Sequence, residues 1–80
     1  MEKLNKKNTE PKLTEVGIDK KHEKATLGKF RAMVMIDSAI YQIEKDQDTV
    51  EKAFELCEYF RNKDDSFTQV FDDKGTPLVA

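Results

Sequence analysis

Residues that build reactive and metal-binding sites are scarce in this chain of 80 residues, which has one cysteine and one histidine. A single cysteine cannot form a disulfide within the chain, and this favours a reducing, cytoplasmic setting. One cysteine and one histidine also cannot supply the three or four nitrogen and sulfur ligands of a zinc site. We therefore expect no disulfide, no metal and no cofactor.

Long apolar runs are also missing. No stretch approaches the roughly 20 apolar residues that a transmembrane helix needs. The first residues are charged and lack the apolar core of a secretory signal. We therefore expect no membrane partner and a cytoplasmic location.

Neither sign of charge is in large excess over the whole chain, which has 14 lysine and arginine residues and 16 acidic residues. The two signs are unevenly distributed, with a net charge of +4 over residues 1–31 and −6 over residues 32–80. The balanced total gives no support to a general nucleic-acid binder, whereas the basic first part could contact phosphates.

The first part of the chain has few apolar residues and no regular apolar spacing. Such a segment cannot bury enough surface to offset an ordering cost of roughly 1–2 kcal/mol per residue. We predict a flexible, disordered basic tail over residues 1–26, of which residues 13–18 could order on a partner. Residues 27–80 should form one small domain.

One amphipathic helix is predicted over residues 48–62. Asp48 or Thr49 can cap its first turn, because their side-chain oxygens accept hydrogen bonds from free backbone N–H groups. Apolar residues then recur at helical spacing, namely Val50, Ala53, Phe54, Cys57 and Phe60. Because Cys57 lies on this stripe, we expect a buried, unreactive thiol.

A β-hairpin is predicted after the helix. Residues 67–71 are rich in aromatic and β-branched side chains, which favour strands. Gly75 can adopt the positive φ that a tight turn needs. Pro77 cannot donate to a strand ladder, so the returning strand should lie at a sheet edge.

The segment before the helix fits two structures. As strands, residues 30–36 and 40–45 form a hairpin that places alternate apolar residues on one face, namely Phe30, Ala32, Val34, Ile36, Tyr41 and Ile43. As one long helix over residues 26–45, a different apolar set recurs every three or four residues. We favour strands, since the helix would leave a lone two-stranded hairpin that is marginal in water. The expected fold is α+β, in the order ββαββ, with one helix on one face of a four-stranded antiparallel sheet.

Two short stretches resemble a known group of proteins. The helix begins Asp48-Thr-Val-Glu-Lys-Ala, and the last hairpin reads Val70-Phe-Asp-Asp-Lys-Gly. Residues 30–80 are similar in these motifs to small ββαββ proteins of phages and bacteria, many of which have no assigned function. The resemblance implies the fold and assigns no functional residue.

No motif for catalysis is present, so we expect a protein that is not an enzyme. The second face of the sheet should carry Met33, Met35, Ile40 and Val70, and an apolar face that the helix leaves uncovered marks a binding surface. We predict a protein-interaction module, such as a phage-type regulator or adaptor that binds a larger host protein machine, for example a polymerase or an ATP-dependent protease. Its candidate binding residues are Met33, Met35, Tyr41, Leu13 and Val16.

Two other functions stay open at this point. A nucleic-acid-binding accessory protein would use basic residues of the tail, namely Lys6, Lys7, Lys20, Lys21 and Lys24. A homodimer would form by pairing of strand edges.

Overall fold

The computed structural model of the chain describes residues 10–79, which form one helix and a five-stranded antiparallel sheet. In chain order the elements are β1 (Leu13–Val16), a short 3-10 helix (Lys20–Glu23), β2 (Phe30–Ile36), β3 (Ala39–Gln47), α1 (Val50–Asp64), β4 (Phe67–Phe71) and β5 (Pro77–Leu78). The strands are arranged in the order β1-β3-β2-β4-β5. The α+β class is confirmed, and the expected four strands are corrected to five.

Strands β2 and β3 form the hairpin that the strand interpretation predicts, so the alternative of one long helix over residues 26–45 is wrong. Ile36 pairs with Ala39, which leaves Asp37 and Ser38 as a two-residue turn. Both turn residues have positive φ, at 51° and 70°. Such mirror-image turns match the twist of the flanking strands.

The helix begins after Thr49, whose Oγ1 accepts a hydrogen bond of 3.2 Å from the backbone N–H of Lys52. Asp48, the other candidate cap, instead pairs with the Lys29 ammonium. The helix ends at Asp64, and the next residue, Asp65, caps it with a left-handed φ of 56° and donates its N–H to the Arg61 carbonyl at 2.9 Å.

The core lies between α1 and one face of the sheet. Its fully buried members come from the helix and the three central strands, namely Ala32, Val34, Ile43, Ala53, Cys57, Phe60 and Val70. Val70 therefore lies in the core, and its expected place on the second face is wrong, because it pairs with Ala32 on the helix side. Burial also raises the pKa of the Cys57 thiol, which disfavours the reactive thiolate.

Strand β1 corrects the prediction of a flexible tail over its residues 10–26. Leu13 pairs with Ile43 at the edge of β3. Just before β1, Lys12 accepts a hydrogen bond at its carbonyl from the Glu44 N–H and donates its own N–H to the Glu44 carboxylate, each at 2.8 Å. Pairing with a strand distant in sequence supplies the order that local hydrophobicity does not. Residues 1–9 of the expected tail lie outside the described residues.

The β2–β3 turn gives a first prediction. Replacing Ser38 with glycine should raise the free energy of unfolding by about 1 kcal/mol, because a side chain in the left-handed region costs about that much. Urea denaturation at neutral pH measures the change. Ser38→Ala keeps the Cβ and should give no gain. Equal stability of the glycine and alanine variants would contradict the prediction.

Candidate functional site

The face of the sheet opposite α1, here called the open face, carries the second set of alternating side chains. Met35 pairs with Ile40 on β3 and with Phe67 on β4, so these three side chains share the open face. The strand register adds further residues to this face, namely Val16, Arg31, Met33, Gln42, Gln69 and Phe71.

The connection between β1 and β2, residues 17–29, packs against part of the open face. Ala25 is 5% exposed, and its N–H donates to the Asp72 carbonyl at 3.1 Å. Gly28 donates its N–H to the Asp73 carboxylate at 2.8 Å. Together with the sheet, this connection buries Met33, which is also 5% exposed.

An ion pair between Arg31 and Asp46 holds the connection in place. The guanidinium donates from Nε to Oδ1 at 2.8 Å and from Nη2 to Oδ2 at 3.0 Å, a two-point contact with carboxylate geometry. Its Nη1 donates to the His22 carbonyl at 3.0 Å, and Asp46 Oδ2 accepts the Thr26 N–H at 2.7 Å. The pair therefore holds the backbone of the connection at both His22 and Thr26.

A bulge in β3 sets the position of Asp46. Ala32 pairs with Ile43, whereas Phe30 pairs with Gln47, so β3 contains two extra residues over this interval. Glu44 lies in the interval with a left-handed φ of 57°. Bulges redirect the side chains that follow them, and this one brings Asp46 beside Arg31.

Two opposing effects act on the pKa of Asp46. Burial raises it, while hydrogen bonds from the Arg31 side chain and the Thr26 N–H lower it. The hydrogen bonds outweigh burial, and the pKa lies below its ordinary value of 3.8. Asp46 is thus charged at neutral pH, as the ion pair requires.

An apolar groove of about 240 Å³ lies on the open face, near the β2–β3 turn. It is lined by side chains of the sheet and of the β1–β2 connection, among them Ile18, Met33, Met35, Ile40, Phe67 and Phe71. Ile18 is 83% exposed, Phe67 70% and Met35 42%. We call this concavity the open-face groove.

The predicted protein-binding residues are divided between the two faces. Met33 and Met35 both line the open-face groove, although only Met35 is exposed. Val16 lies beside the groove, since it pairs with Ile40. Leu13 and Tyr41 lie on the helix side and pack against the core, so the structure does not bring them to the groove.

Sequence reasoning missed two of the most exposed groove residues. Phe67 was expected only as a strand residue, although its register partner Met35 was already a candidate. The strand pattern could have identified Phe67, because Phe67, Gln69 and Phe71 are spaced two apart and therefore share one face of the strand. Ile18 carried no such sign, because its position depends on the β1–β2 connection.

The basic residues of the nucleic-acid alternative are not gathered at the groove. Lys20 and Lys21 are exposed on the short 3-10 helix, and Lys24 is exposed just after it. Lys6 and Lys7 lie outside the described residues.

A second, polar concavity lies near the start of α1, lined by Lys29, Arg31, Asp46 and Asp48 among others. Lys29 pairs with Asp48 and Arg31 with Asp46. The lining also includes Lys45 and Lys52, so the concavity carries more basic than acidic side chains.

Residues 10–79 contain no group of three or more histidine, cysteine, aspartate or glutamate side chains placed to hold a metal ion. Over the same range, no helix has the length and apolar character that crossing a membrane requires. Comparisons with protein-family models, with curated proteins and with solved structures found no match to the chain. The resemblance to phage and bacterial ββαββ proteins therefore stays a prediction.

The ion pair gives a second prediction. Asp46→Asn should lower the free energy of unfolding at neutral pH by about 2 kcal/mol, because it weakens charge-assisted hydrogen bonds and leaves Arg31 without its counter-charge. Asp48→Asn is the control, since it removes an exposed ion pair, and exposed pairs contribute little to stability.

The loss at Asp46 should also depend on pH. The pKa of Asp46 is lower in the folded state than its unfolded value of about 3.9, so its charge stabilises the fold above that value. The difference between the native protein and Asp46→Asn should shrink as the pH falls through the folded pKa. Urea denaturation at several pH values measures it, and a difference independent of pH would contradict the assignment.

Proposed function

We propose that the protein is a small non-enzymatic interaction module that binds a larger protein through the open-face groove. One observation carries the proposal. Among the described residues, six large apolar side chains are exposed, and three of them, Ile18, Met35 and Phe67, gather at this groove. Single exposed apolar residues are ordinary, whereas a contiguous group marks an interaction site.

The size and lining of the groove favour a protein partner over a small molecule. Its volume of about 240 Å³ falls below the range of roughly 300–1,000 Å³ that is typical of small-molecule sites. Aromatic and methionine side chains, here Phe67 and Met35, are enriched where proteins meet. The flexible thioether of Met35 can also adapt to the shape of an inserted side chain.

We favour a regulator or adaptor as the form of this function, of the kind that phages use to redirect a polymerase or an ATP-dependent protease of their host. The sequence resemblance of residues 30–80 to small ββαββ proteins of phages and bacteria supports this form. A regulator of this kind acts by occupying a surface, and so it needs a groove and no catalytic group.

Site-specific crosslinking tests the proposal. A photoreactive amino acid replaces Phe67 or Met35 in the full chain, and each variant is irradiated in nuclease-treated lysate of the source cells. Leu27 and Val79 are matched control positions, because they are 87% and 88% exposed and lie away from the groove. We expect one protein to be crosslinked from positions 67 and 35 and not from 27 and 79.

Three outcomes would contradict the proposal. Equal crosslinking from all four positions would show that the groove has no preference for a partner. A product that consists of two copies of this chain would indicate a homodimer. Crosslinking that occurs in untreated lysate and is absent from nuclease-treated lysate would favour the basic residues and a nucleic acid.

Competition gives a third prediction about the same surface. Unlabelled Phe67→Ser protein should compete with the native protein for the crosslinked partner more than ten-fold less well, because central aromatic residues contribute most of the energy at such interfaces. Leu27→Ser should compete as well as the native protein. Since Phe67 is 70% exposed, its replacement should leave the core folded, and a cooperative urea transition checks this.

A further inference from the structure

The charged side chains that line the open-face groove are both acidic. Asp19 and Glu23 lie on the wall that the β1–β2 connection provides, and the rest of the lining is apolar or uncharged. Lys20 and Lys21 stand between them in sequence but do not line the groove. The groove therefore combines an apolar floor with one negative wall.

The two carboxylates differ in their partners. Asp19 lies 3.9 Å from the Lys21 ammonium, and both side chains of this pair are largely exposed. Glu23 is half-buried, and within residues 10–79 no basic side chain lies within ion-pair distance of it. An occupant of the groove would take water away from Glu23, and covering a charge without a partner is costly.

We propose that the groove accepts a segment of a partner protein that inserts a large apolar side chain and places a lysine or arginine against Glu23. This inference rests on the proposed function and adds the chemistry of the partner. The apolar side chain fills the space between Ile18, Met35 and Phe67. The cation replaces the water that Glu23 loses, and Asp19 adds attraction from the same wall.

Charges of both signs lie around the groove, since the exposed Lys20, Lys21 and Lys24 adjoin Asp19 and Glu23 in sequence. Asp37 is exposed in the β2–β3 turn, directly after the strand end that carries Met35. Asp65 is exposed two residues before Phe67. Charges beside an apolar site raise the association rate of a partner of opposite sign, so Asp37 and Asp65 favour a basic segment. The three lysines offset part of this attraction, and the lining of the groove itself stays acidic.

Peptide selection tests the inference without knowledge of the natural partner. A phage-displayed library of random linear peptides is selected on the full chain and counter-selected on Phe67→Ser. We expect the enriched peptides to share a large apolar residue with a lysine or arginine nearby. The best peptide is then synthesised, and its dissociation constant for each variant is measured by fluorescence anisotropy.

Charge-removing variants test the role of Glu23. Glu23→Gln should weaken binding of the selected peptide about ten-fold, which is the usual size of a charge-assisted contact. Glu58→Gln, which alters an exposed acidic residue of α1 outside the groove, should leave binding unchanged. Added salt should weaken binding to the native protein more than binding to Glu23→Gln.

The outcomes separate this inference from the proposed function. Selected peptides that need Phe67 but carry no basic residue, or that bind Glu23→Gln and Glu58→Gln equally, would overturn the inference and leave the function standing. If counter-selection on Phe67→Ser removes every peptide that binds the native chain, both would be overturned. Sedimentation showing a dimer that Phe67→Ser dissociates would make a second copy the occupant and overturn the inference.

Discussion

The ion pair between Arg31 and Asp46 joins the paired strands β2 and β3 to the β1–β2 connection, which the strand ladder does not reach. It links β2 to the end of β3, and through the His22 carbonyl and the Thr26 N–H it reaches the β1–β2 connection. Its side chains are only 17% and 9% exposed, so water competes weakly for their hydrogen bonds. Without the pair, the connection would keep its hydrogen bonds to Asp72 and Asp73 and lose those at His22 and Thr26, on either side of the wall residue Glu23.

Elements with local signals were predictable from the sequence. The helix was predictable from a cap at Thr49 and an apolar stripe through Cys57 and Phe60. The last hairpin was predictable from Gly75, whose φ is 79° as its turn requires. Strand β1 has no such signal. Its four residues are ordered by backbone pairing with β3, some thirty positions away along the chain, and composition within a short window cannot report that pairing.

The groove residues whose positions follow from alternation along a strand were predictable from the sequence. Met33 and Met35 were found in this way, because residues two apart share a face. Glu23 could not be found, since its position depends on contacts of the connection with Arg31 and Asp46. The bulge that places Asp46 was also hidden, because nothing in the sequence marks Glu44 as a residue with positive φ.

The strain at Glu44 bears on the position of the groove wall. A glutamate in the left-handed region costs stability, and such strain persists only where surrounding contacts hold it. Here the contacts are those of Lys12 with Glu44, on the β1 side of the bulge, and those of Asp46 with Arg31, on the other. The bulge thus lies between the edge pairing of β1 and the ion pair that holds the β1–β2 connection. The core lies on the opposite face of the sheet, so the exposed groove side chains, Ile18, Met35 and Phe67, can be substituted while the packing of α1 is preserved.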